Sequence, residues 1–194
     1  NYWGMKMHSK NNQFEVIAKA ICKDLSYKLS CVVGKGGFKE TYKIVDTTGT
    51  ALALKIFNPH SDIKRSEREI VAMNKCESPY IAKIISQSIY RYFGSDYLYV
   101  IEEYYNGGTL EDRLNQKDPL GEEISFYLGT KLIKILACLQ EFNYVHRDIK
   151  PANILFRDKT FDLPILTDFG IVRMLDETSI TQTYFNSGPG TPGF

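Results

Sequence analysis

The sequence predicts an α+β fold in which a leading helix and a strand-rich lobe precede a helical lobe. Three observations carry that expectation: apolar residues at three-and-four spacing over 12–25, short alternating runs between 27 and 104, and one long amphipathic stretch over 122–142. The expected domains are a helical extension at 1–26, a lobe at 27–105 holding a five-stranded antiparallel sheet and one helix, and a mostly helical lobe over 106–194.

Phe14, Ile17, Ala18, Ile21, Cys22 and Leu25 form the stripe of the first helix. Strands are expected at 27–33, 41–46 and 51–57, with Thr47-Thr48-Gly49-Thr50 as a hairpin turn. Asp62 can cap a helix running to Cys76, and strands near 81–88 and 97–104 complete the sheet. Gly107-Gly108 ends this lobe, and the 122–142 helix opens the next. Two short strands, 154–156 and 163–167, then flank a turn at 157–160. Asn153 precedes the first and Asp168 follows the second, so an antiparallel hairpin puts both at one end. Two oxygen ligands converging at a partly open site suit Mg²⁺ bridging nucleotide phosphates, because that ion keeps several waters and takes few protein carboxylates.

With 43% hydrophobic and 24% charged residues, the 194-residue chain has the composition of a globular protein large enough for a real core. A formal charge of +1 gives no electrostatic case for a nucleic-acid or membrane-surface partner. Cys22, Cys31, Cys76 and Cys138 lack metal-type or redox-type spacing, which suggests reduced thiols and a cytoplasmic location. The most apolar long segment, 132–139, is interrupted by Lys134 and reads as a helix face rather than a membrane span. The chain opens on Asn1, so its natural start is expected elsewhere.

The densest chemistry lies in His146-Arg147-Asp148-Ile149-Lys150-Pro151-Ala152-Asn153, followed by Asp168-Phe169-Gly170. Pro151 keeps that loop from winding into helix and leaves the Asp148 carboxylate to face a substrate hydroxyl. Upstream, Gly34-Lys35-Gly36-Gly37-Phe38 sits between two strands, either as a phosphate cover or as a simple hairpin turn. It precedes Ala53-Leu54-Lys55 in the third strand. Glu69 shares a stripe with Ala72, Met73 and Cys76, and is either a solvated residue or the partner of Lys55. Ser78-Pro79-Tyr80-Ile81, the run from Tyr97 to Gly108, and Gly190-Thr191-Pro192 complete the ordered set.

In order and context these pieces resemble the serine/threonine protein kinase family over 27–194. The resemblance implies a bilobal kinase fold and ATP- and Mg²⁺-dependent transfer of the γ-phosphoryl group to serine or threonine hydroxyls of a protein substrate. It makes Asp148 the residue that orients the hydroxyl and takes its proton, and Lys150 the one that offsets charge on the transferring group. Asn153 and Asp168 become the Mg²⁺ ligands, and Lys55, oriented by Glu69, holds the nonreacting phosphates. Gly34, Lys35, Gly36, Gly37, Phe38 and Ala53 join the nucleotide site, and backbone groups at Glu103 and Tyr105 bond the purine edge. His146 and Phe169 pack the site.

Three departures stand against the family pattern. Lys39 and Thr41 replace the third glycine and the valine of the glycine-rich loop. Glu102 occupies the position behind the adenine, where a carboxylate needs Lys55, another donor or water. The chain stops before an Ala-Pro-Glu motif, so the helical lobe reads as incomplete, its apolar surface expected to be covered by further chain or a partner. The alternatives are a pseudokinase or nucleotide-binding regulatory module, an inactive kinase fragment, and a small-molecule kinase. The last generally lacks the His-Arg-Asp-x-Lys-Pro and Gly-Thr-Pro patterns. Arg147 is expected to pair with a phosphate placed on Thr178, Ser179, Thr181 or Thr183, ordering an otherwise mobile segment.

Overall fold

Glu40, Tyr42 and Ile44 are buried and their neighbours half-buried, and this period of two makes Lys39–Val45 a strand. A computed structural model describes residues 13–59, 78–116, 121–141, 144–146, 148–161, 163–168 and 173–174. The chain divides into two units, Asn1–Ile63 with Ile84–Tyr104, and Lys64–Lys83 with Tyr105–Phe194.

The first unit is an antiparallel sheet of β1 (Lys28–Lys35), β2 (Lys39–Val45), β3 (Ala51–Phe57), β4 (Ile84–Tyr92) and β5 (Ser95–Glu103), in the order β1-β2-β3-β5-β4. Tyr42 pairs with Leu54 and Leu54 with Ile101, so one apolar row crosses three strands. Helix α1 (Gln13–Asp24) lies on that row, as its spacing requires: Ile17, Ala18, Ile21 and Cys22 join Tyr42, Ile44, Leu52, Leu54, Ile56, Tyr97, Tyr99 and Ile101 in one core. Gln13 Nε2 donates to Tyr97 Oη at 2.6 Å, and burial pushes the Cys22 thiol up to about 11. The β2–β3 turn falls where expected, with Asp46 Oδ1 accepting the backbone N–H groups of Thr48 and Thr50, each at 2.8 Å.

The expected strand at 81–88 is corrected. β4 begins at Ile84, whereas Ile81, which belongs to the second unit, bridges to Leu166 of the same unit, with Ala82 N donating to Leu166 O at 2.9 Å. Lys83 N is taken by Tyr105 Oη at 3.1 Å rather than by the sheet. Apolar residues stand on both sides of Lys83, so the pattern hides the point at which the chain changes partner.

In the second unit, Thr109 caps the short helix α2 (Leu110–Leu114) through a reciprocal box with Asp112. The long helix α3 (Glu122–Glu141) buries Leu128, Ile135 and Leu139. Tyr144–Val145 (β6) pairs with Arg173–Met174 (β9), and β7 (Ile154–Phe156) pairs with β8 (Pro164–Leu166) as the expected antiparallel hairpin. The helix expected over 62–76 lies outside the described residues.

Candidate active site

In the second unit the chemistry gathers around the β7–β8 hairpin. Ile154 pairs with Leu166, and Thr167 N donates to Asn153 O at 3.0 Å, carrying the ladder one residue past both strands. That register brings Asn153 and Asp168 to the same end. A single 3₁₀ turn, Pro151–Asn153, leads into β7, with proline at its first position, where no backbone donor is missed.

Asp148 sits on that turn's approach and is held from two sides. Lys150 Nζ lies 2.8 Å from its Oδ2, and Asn153 Nδ2 donates to the same oxygen at 3.0 Å and to the Asp148 carbonyl at 2.8 Å. With its Nδ2 so committed, the buried Asn153 amide has Oδ1 left as its acceptor. His146 is buried: Asp148 N donates to its Nδ1 and its Nε2 faces Thr167 O, both at 3.3 Å. The ring therefore ties the loop to the end of β8. Asp168 has φ of 60°, a left-handed conformation that aspartate tolerates better than most residues, at a cost of about 1 kcal/mol. An amide oxygen and a carboxylate at the same end of a hairpin are hard, oxygen-only donors of the kind that would suit Mg²⁺ completed by water and phosphate. Among the described residues no group of three or more His, Cys, Asp or Glu assembles into a fuller metal cage.

Asn106 to Thr109 fix this hairpin from outside. Gly107 N donates to Phe156 O at 3.1 Å, Phe156 N to Gly108 O at 2.9 Å, and Thr109 bridges Leu155. A Cβ on Gly107 would lie 2.2 Å from Asp158 O and 2.6 Å from Phe156 Cβ, so only glycine fits. The Tyr105 side chain is buried, with its Oη committed to Lys83 N.

In the first unit, Gly34 and Lys35 end β1 opposite Thr41 and Glu40. Gly36 N donates to Lys39 O at 3.0 Å, closing the turn, and Phe38 is exposed. Gly34 and Gly37 have no positive φ, and a Cβ on either would meet nothing within 4 Å. Neither backbone angle nor crowding demands glycine there. Lys39 Nζ lies 5.4 Å from the Phe57 ring centroid. On the sheet face opposite the α1 core, Ala53 pairs with Glu102 and Lys55 with Val100, so Lys55 and Glu102 are diagonal neighbours. Their side chains are 7% and 4% exposed, and Lys55 Nζ lies 2.7 Å from Glu102 Oε2. The donor expected for Glu102 is thus Lys55. Glu103 ends β5 half-buried.

The protein kinase domain family matches residues 27–194. The chain belongs to the protein kinase family. A probable serine/threonine-protein kinase of Clostridium perfringens is 29% identical over 163 residues, covering 81% of this chain and 23% of the relative. A probable myosin light chain kinase of Dictyostelium discoideum is 30% identical, covering 87% and 52%. The serine/threonine-protein kinase hippo of Drosophila melanogaster is 32% identical, covering 87% and 24%. The kinase chain thus spans between about a quarter and a half of the length of these relatives.

Of the kinase residues expected from sequence, Glu69, Arg147, Phe169, Gly170 and the acceptors Thr178, Ser179, Thr181 and Thr183 lie outside the described residues. Sequence reasoning missed the Thr109 capping box, although Thr-x-x-Asp before an apolar residue signals it. It also missed the packing role of Gly107. Among the described residues no helix of the kinase is long and apolar enough to cross a membrane.

Proposed function

We propose that this kinase transfers the γ-phosphoryl group of ATP, with Mg²⁺, to serine or threonine hydroxyls of protein substrates. The observation that carries the reading is the Asp148 carboxylate, held by Lys150 and Asn153 beside the hairpin end that bears Asp168. Asp148 orients the acceptor hydroxyl and takes its proton, while Lys150 offsets the charge on the group in transfer. Asn153 Oδ1 and the Asp168 carboxylate hold Mg²⁺, which when bound screens the phosphate charge. Lys55, with Glu69, contacts the nonreacting phosphates; the 34–38 turn covers them with backbone amides, and its Gly34 and Gly37 have no packing reason of their own. Ala53 and the backbone at Glu103 and Tyr105 receive the base. Among the described residues Cys22, Cys31 and Cys138 form no disulfide, in keeping with a cytoplasmic location. The rival reading, a nucleotide-binding regulatory module, draws on the hold of Glu102 over Lys55.

Asp148→Asn and Asp168→Ala separate the roles. Both should abolish phosphoryl transfer, but only the Asp168 change should weaken Mg-ATP binding measured by calorimetry, by about tenfold or more. Equal loss of nucleotide affinity in the two variants would mean that the roles are misassigned.

A further inference from the structure

The Lys55–Glu102 pair is unlike an ordinary surface ion pair. It is almost wholly shielded from water, and its 2.7 Å contact comes from the strand register rather than from flexible side chains finding each other. Desolvating two charges costs several kcal/mol, and the direct contact between them offsets part of that cost. The Glu102 charge therefore lies beside the Lys55 ammonium wherever that ammonium acts.

We infer that Glu102 is an internal counter-anion for Lys55, a positioning residue that competes with nucleotide phosphates for the lysine and so sets how much affinity the phosphates add. This rests on the nucleotide reading above and deepens it. An ammonium offers three N–H donors, and one is directed at Glu102. A phosphate approaching Lys55 meets the attraction of one charge and the repulsion of its neighbour, so the field it gains from is largely cancelled. A neutral nucleoside has no such term. The carboxylate thus restrains triphosphate and diphosphate binding while leaving adenosine alone. It also keeps the buried ammonium satisfied when no nucleotide is present.

The test is calorimetric titration of the full chain with adenosine, Mg-ADP and Mg-ATP, in the parent protein, Glu102→Gln, and Glu102→Gln combined with Lys55→Met. Removing the carboxylate charge should tighten Mg-ADP and Mg-ATP by about tenfold and leave adenosine within about twofold. The gain should vanish once Lys55 is replaced. Equal changes for all three ligands would show that Glu102 contacts the base instead. No change, or weaker Mg-ADP binding, would show that the pair does not restrain the phosphates. Either result overturns the inference. If Glu102→Gln does not fold, Glu102→Met, which fills the same space without charge, must give the same pattern. Failure of both to fold would make the pair architectural and end the inference. Absence of ADP and ATP binding in parent and variants alike would instead remove the nucleotide reading, and the inference with it.

Discussion

Two lysines of the sheet illustrate how local surroundings divide chemistry from packing. Lys39 faces Phe57 across the β2–β3 ladder and lies over its ring, a contact worth about 0.5–2 kcal/mol at a half-buried site. Lys55 is buried against a carboxylate. Lys55→Met should lower kcat/KM for phosphoryl transfer by about a hundredfold or more, and Lys39→Met by less than about threefold. The reverse order in steady-state kinetics would show that Lys39 has taken over the phosphate contact. Gly107→Ala should cost about 1–3 kcal/mol or more in denaturant unfolding, because its Cβ would overlap Asp158 O. Gly121→Ala, where a Cβ meets nothing within 4 Å, serves as the control and should cost little. Asp148, Lys150, Asn153 and Asp168 were legible because their spacing within one loop and hairpin is itself the signal. The constraint on Gly107 was not, because the atoms that crowd it arrive from β7 and the turn beyond it, far along the chain.

At the scale of elements, α1 is instructive because it precedes the residues the family matches yet supplies a third of the first unit's main core. Its three-and-four spacing announced a helix and its buried face. The partner, a row running across β2, β3 and β5, follows only from the register of the sheet. Ile21→Ala, at 1% exposure, should destabilise the protein by about 2–5 kcal/mol. Burial holds the Cys22 thiol up near 11, so at pH 8 a thiol reagent should label exposed Cys31 well before Cys22. Equal labelling rates in the native protein would mean that α1 is not docked. The 81–88 segment shows the opposite case. Its apolar pattern is real, but Ile81 and Ala82 pair with Leu166 while Ile84 begins the sheet, a division set by tertiary hydrogen bonds rather than by periodicity.

Across the whole molecule, the order of motifs along the chain identified the kinase family and its two-part fold. Overall composition and charge did no more than exclude some partners. On α3, Phe126 and Ile133 are 77% and 67% exposed, so the long helix is not buried all round among the described residues. The central claim, phosphoryl transfer to an aliphatic hydroxyl, is tested most directly by incubating the full-length protein with γ-labelled ATP, Mg²⁺ and a generic protein substrate. Phosphoamino-acid analysis then identifies the product, with Asp148→Asn as the blank. Label in phosphoserine or phosphothreonine, absent from the blank, is the expected result. A product dominated by phosphotyrosine, or no transfer by a protein that demonstrably binds Mg-ATP, would contradict it.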